Sequence, residues 1–154
     1  MRDESYQLKS TPSFMSFEFV SEGPKGRIPK LVKYTETSVK NVYNLGFGDK
    51  MGEEDDFNDM TISDNKDSGR VLATVAETVY FFTNKFPNAS VVATGSTFAR
   101  TRLYRIGISN YLEEIQKNFK VSGFINGDLE DFKKNRDYSI FLIKRKRHND
   151  EKND

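Results

Sequence analysis

Apolar and polar residues alternate along FMSFEFV, with Met15, Phe17 and Phe19 on one face and Ser16 and Glu18 on the other. That period of two predicts a half-buried strand. Gly23, Pro24 and Gly26 then supply turn chemistry, and RIPKLVKYTE resumes an extended pattern, so the pair reads as a hairpin. Pro29 removes one ladder donor from the second strand, which predicts an edge position or a bulge, and Lys30 and Lys33 suit a solvent-facing edge. In NVYNLGFGD, Tyr43, Leu45 and Phe47 alternate with Asn44, Gly46 and Gly48. This predicts a third strand whose second face admits a close neighbour.

The period changes to three and four after residue 67. Val71, Leu72, Val75, Val79 and Phe82 share one helical face, with Asp67 or Ser68 as cap, and the helix is expected to run to about Asn84, before Pro87. ASVVAT is a short apolar run that reads as a central strand buried on both faces. Gly95-Ser96-Thr97 then opens a long helix striped by Tyr104, Ile108, Tyr111, Leu112, Ile115 and Phe119, with Gly107 as its interruption. VSGFING and YSIFLIKRK predict one or two further strands, separated by DLEDFKKNR as a short helix or a turn. The order βββαβαββ predicts an α+β domain, with a mixed or mostly antiparallel sheet of five to six strands and two main helices on one face.

Length and composition narrow the function classes. A chain of 154 residues fits one domain: a polar leader over 1–13, the domain over 14–147 and a charged flexible tail over 148–154. It has no cysteine and one histidine, His148, in that tail. Disulfide frameworks, thiolate nucleophiles and cysteine zinc sites are thereby excluded. Neither an apolar signal core nor a run near the roughly 20 residues of a bilayer span is present, so a cytoplasmic location is expected.

Charge is unevenly distributed although the net value is only +1. Residues 49–67 hold eight acids and two lysines, a local −6 that leaves +7 elsewhere. Asp55, Asp56, Asp59 and Asp64 in this loop fit no EF-hand register, so no metal and no cofactor is expected.

The four phrases EFVSEGPKGRIPKLVKY, NVYNLGFGD, VLATVAETV and ATGSTFARTRLYRIGI, in that order, resemble a family of short uncharacterised bacterial proteins. That family is common in the Bacteroidota and is carried as a domain of unknown function. The resemblance spans roughly Phe14 to Lys146. It implies a cytoplasmic single-domain protein and transfers no catalytic residue.

The strongest local signal for chemistry is Gly95, Ser96, Thr97, Arg100, Arg102 and Arg105. A strand ending in Gly-Ser-Thr and opening a helix offers free amides, hydroxyls and a positive dipole end, which suit an anion. Arginines here oppose that dipole unless something negative lies close, which predicts either a bound anion or pairing with Asp49 and the acidic segment. The second expectation is the stronger, because it accounts for both surplus acids and surplus bases. Asn44 is expected as a buried hydrogen-bonding residue. The expected function is a non-enzymatic binding or interaction module contacting an anionic small molecule or a protein partner. A small enzyme or toxin-like effector on a phosphorylated ligand or RNA is the alternative. A third class docks a protein on an exposed edge strand near Lys30 and Lys33 or on the acidic loop 49–67, expected to be mobile. Nucleic acid is the weaker partner, since KRKR at 144–147 is followed by acids, and a membrane is not expected.

Overall fold

The computed structural model describes residues 4–52, 64–95 and 97–146, together with the backbone of 57–58. Nine strands and three helices follow in chain order: β1 (Lys9–Ser10), β2 (Ser16–Gly23), β3 (Gly26–Glu36), β4 (Val42–Lys50), β5 (Phe57–Asn58), α1 (Ser68–Lys85), β6 (Ser90–Ala93), α2 (Phe98–Asn110), α3 (Leu112–Asn118), β7 (Phe119–Ile125), β8 (Asp128–Asp131) and β9 (Ile140–Arg145). The α+β class and the mixed sheet stand, while the count exceeds the five to six strands and two helices expected from sequence.

Eight strands form the path β1-β2-β3-β4-β6-β9-β7-β8, with β5 pairing the end of β4. Among the described residues only β4 and β6 pair in parallel, with Val42 opposite Ser90. A parallel pair needs a crossover, and α1 supplies it.

Phe17, Val32 and Phe47 form one cross-strand row, and Tyr34, Leu45, Ala93 and Phe141 the next, on one sheet face that forms the core with the helices. The Tyr34 ring stacks on Phe82 of α1 at 4.1 Å, Tyr104 of α2 meets Phe47 edge-on, and Leu112 and Ile115 of α3 pack against the same cluster. All three helices therefore occupy one face. Burial raises the Tyr34 hydroxyl pKa well above its ordinary value, and that hydroxyl shares a 2.8 Å bond with Thr78.

Several expectations are corrected. Strand β3 is interior, paired with β2 on one side and β4 on the other, so Lys30 and Lys33 mark no edge. Pro29 is tolerated because the β3–β4 ladder begins one residue later, at Lys30. The long helix breaks at Tyr111, whose backbone leaves the helical region at φ −119°, ψ 21°, and not at Gly107. Phe119 already belongs to β7. DLED is neither helix nor turn but strand β8, joined to β7 through Asn126 and Gly127, with φ of 53° and 83°. Positive φ at both positions matches the twist of a two-residue hairpin. Strand β6 is fully buried on the face of Val91 and Ala93 and partly covered on the other, where Val92 is half-buried.

The domain also begins before Phe14. Tyr6 is buried in the core, its amide donates to Thr74 Oγ1 and its hydroxyl donates to Asp67 at 2.6 Å. Asp67 thus precedes the first turn of α1 without capping it by its side chain, because that carboxylate is engaged by Tyr6 and Ser21. Residues 148–154 lie outside the described residues.

Candidate functional site

Strand β4 changes neighbours along its outer side. Residues 42–45 pair with β6, residues 49–50 pair with β5, and Gly46 to Gly48 lie between. Arg100 fills this interval from α2. Its Nη1 donates to the Phe47 carbonyl, its guanidinium carbon stands 5.1 Å from the Phe47 ring centre, and the residue is only 1% exposed.

Lys30 and Asp49 stand opposite each other across β3 and β4, on the same face as Phe47 and two residues from it. The Lys30 ammonium donates to Asp49 Oδ1, and Lys30 is also 1% exposed. The cation across from Asp49 is therefore a lysine of the neighbouring strand. Sequence placed Lys30 at a solvated edge; its burial follows from the register, which turns even-numbered residues of β3 toward the helices. Asn44, on the opposite face of β4, is half-buried and sits between Thr35 and Val92.

The start of α2 is held tightly. Thr97 is its cap and accepts from the Arg100 amide at 3.2 Å, which satisfies one of the free first-turn donors. A Cβ on Gly95 would lie 2.4 Å from the Thr101 amide nitrogen, so the strand-to-helix connection needs glycine there. Ser96 lies outside the described residues, as do Asp55, Asp56 and Asp59; Asp64 is exposed.

The three arginines do not converge. Arg100 points into the sheet. Arg102 is exposed and makes no ion pair among the described residues. Arg105 Nη1 pairs with Asp137 from the β8–β9 connection, while Asp55, Asp56 and Asp59 of the acidic segment lie outside the described residues. Sequence reading also passed over Phe98, which opens α2 and is 84% exposed. Phe98, Arg102 and Ile106 follow at four-residue spacing, so they form one outward stripe. The offset of Phe98 by six positions from Tyr104, which puts the two on different faces of the helix, was the available signal.

A mixed sheet covered by helices on one face, with a buried lysine and arginine and a half-buried aspartate where α2 meets β4, defines an α+β domain with a built polar centre. The model of a family of unknown function, DUF6934, matches residues 2–146, and the chain belongs to that family. No curated protein and no solved structure matches it significantly. No helix among the described residues is long and apolar enough to cross a membrane.

Proposed function

We propose that this protein is a non-enzymatic binding module that presents the first turns of α2 to an anionic partner. The observation that carries this reading is the exposed Phe98 beside Arg102, on a helix end fixed from behind by Arg100. An aromatic and an arginine on a rigid support are residue types that dominate binding surfaces, the ring giving large contact area at low entropic cost and the guanidinium a planar fork of donors. Arg102 supplies a bidentate donor for carboxylate or phosphate, and Phe98 an apolar platform beside it.

Thermal shift with inorganic phosphate, tripolyphosphate and an acidic peptide tests the reading. A ligand that prefers the native state raises its stability by mass action. Wild type should be stabilised, Arg102→Gln and Phe98→Ser should lose the shift, and their unliganded melting should match wild type. Equal shifts in all three proteins would overturn it.

The alternative is a small enzyme or effector acting on a phosphorylated ligand or RNA, favoured by the buried Lys30 and Arg100 and the half-buried Asp49 beside the same helix end. Cleavage of a phosphomonoester or RNA, lost in a folded Asp49→Asn variant, would replace the first reading with this one.

A further inference from the structure

Since all three helices pack on one face, the other face of β7, β9, β6 and β4 carries no helix among the described residues. Register places Lys120 directly opposite Lys144 there, followed by Ser122 opposite Leu142 and Phe124 opposite Ile140. Lys144 also neighbours Ser90, and Leu142 neighbours Val92. Lys120 is exposed, Lys144 is half-buried, and neither makes an ion pair among the described residues. Like charges directly opposite on adjacent strands are destabilising, so this pair is a standing electrostatic cost that a bound anion would relieve. Asp131, opposite Ser122 on β8, is a carboxylate of the same face.

Phe124 is among the large apolar residues exposed on the surface and lies four residues along β7 from Lys120, about 13 Å at the usual strand rise. It faces outward beside Leu129, which is also exposed. A sheet face with paired cations at one end and an accessible ring at the other matches the two needs of an unpaired polynucleotide. Phosphates need positive charge, and unstacked bases need an aromatic platform. A duplex presents its bases stacked and so has no use for Phe124. An acidic peptide would use the lysines but gain little from the ring.

We propose that this open sheet face binds single-stranded nucleic acid, with Lys120 and Lys144 on the backbone phosphates and Phe124 stacking a base. The site is separate from α2 and does not depend on the reading given for that helix.

Fluorescence anisotropy with labelled single strands of roughly ten nucleotides, in RNA and DNA forms and over a salt series, tests it. Wild type should bind with affinity falling steeply with salt. Lys144→Gln or Lys120→Gln should each flatten the logarithmic salt slope by about 0.7, the value expected for one phosphate contact on a single strand. Phe124→Ala should weaken binding roughly tenfold with the slope unchanged, because stacking releases no counterions. The three positions lie on the surface, and circular dichroism would verify that each variant is folded. A preference for RNA over DNA would identify the 2′-hydroxyl as part of the contact, and equal binding would assign recognition to backbone and base alone. Absence of binding by wild type at low salt would overturn the proposal, as would loss of binding in Arg102→Gln with the sheet variants unaffected.

Discussion

Arg100 donates from Nη1 to the Phe47 carbonyl and lays its guanidinium against the Phe47 ring, so one side chain both completes the ladder of β4 and ties α2 to the sheet. A strand carbonyl facing an interval without a neighbouring strand needs another donor, and a buried one left unsatisfied costs about 1 to 3 kcal/mol. Arg100→Met, which keeps much of the apolar stem, should therefore lower stability by about 2 to 4 kcal/mol in urea unfolding. Arg102→Gln, on the outward face of the same helix, should stay within about 0.5 kcal/mol. Equal losses at the two positions would contradict this assignment.

Lys30 and Asp49 form the second connection at this end of β4. Removing one partner of a buried pair strands the other charge, at a cost of about 3 to 5 kcal/mol. Asp49→Asn should show a loss of that order by chemical denaturation. Adding Lys30→Met to it should cost much less than the two single changes together, with a coupling above about 1 kcal/mol. Additive effects would show that the two side chains are held independently.

Two glycines should respond oppositely to alanine. A Cβ at Gly123 would stand 2.3 Å from the Tyr138 ring, which is packed against Phe132 and Phe141, so Gly123→Ala should lose about 1 to 3 kcal/mol. A Cβ at Gly107 would approach the tip of Leu72 at 3.1 Å, beside an apolar cavity of about 70 Å³ that Leu72 also lines. Leu72 has room to yield, and alanine is favoured over glycine in a helix by up to about 1 kcal/mol. Gly107→Ala should therefore hold or raise the melting temperature, and a clear fall would mean that Leu72 is fixed.

The amino-terminal segment should prove integral to the domain. Tyr6→Phe keeps the buried ring but loses the bond to Asp67 and the one accepted from the Glu22 amide at 3.0 Å. A loss of about 1 to 2 kcal/mol is expected, and deletion of residues 1–13 should cost more, because the Tyr6 ring leaves the core as well. A deletion as stable as the full chain would restore the leader reading.

Acid should weaken the β8–β9 connection first. The Tyr138 hydroxyl donates to Glu130 at 2.6 Å and Arg136 pairs with the same carboxylate, which together hold the Glu130 carboxyl below its ordinary value of 4.5. A depressed acid stabilises the fold above its unfolded pKa, and that contribution is lost as pH falls through the folded one. Stability measured from pH 7 to 3 should fall less steeply below pH 4.5 in Glu130→Gln than in wild type. Identical slopes would remove Glu130 from the acid response.

Sequence by itself determined what local chemistry settles. The period of two in Phe17 and Phe19, the three-and-four spacing of Val71 to Phe82, and the Gly-Pro-Lys-Gly turn each act within a few residues. They gave β2, α1 and the first hairpin close to where they stand. Asn126-Gly127 is an equally local hairpin signal, and recognising it would have turned DLED into a strand. The break at Tyr111 was not legible, because the apolar stripe continues through it and only the start of β7 ends the helix.

Tertiary structure decided which strand neighbours which, and with that the fate of every charged residue in the sheet. Lys30 has the sequence appearance of an edge lysine, yet pairing on both sides of β3 turned it inward to Asp49. Arg100 and Arg102 stand two residues apart in one motif, and the helical turn buried the first while leaving the second in solvent. Such outcomes depend on contacts between residues 19 to 53 positions apart, which no local pattern encodes. Local propensity chose the elements; burial of their apolar faces against one another chose the register, and the register chose which charges met.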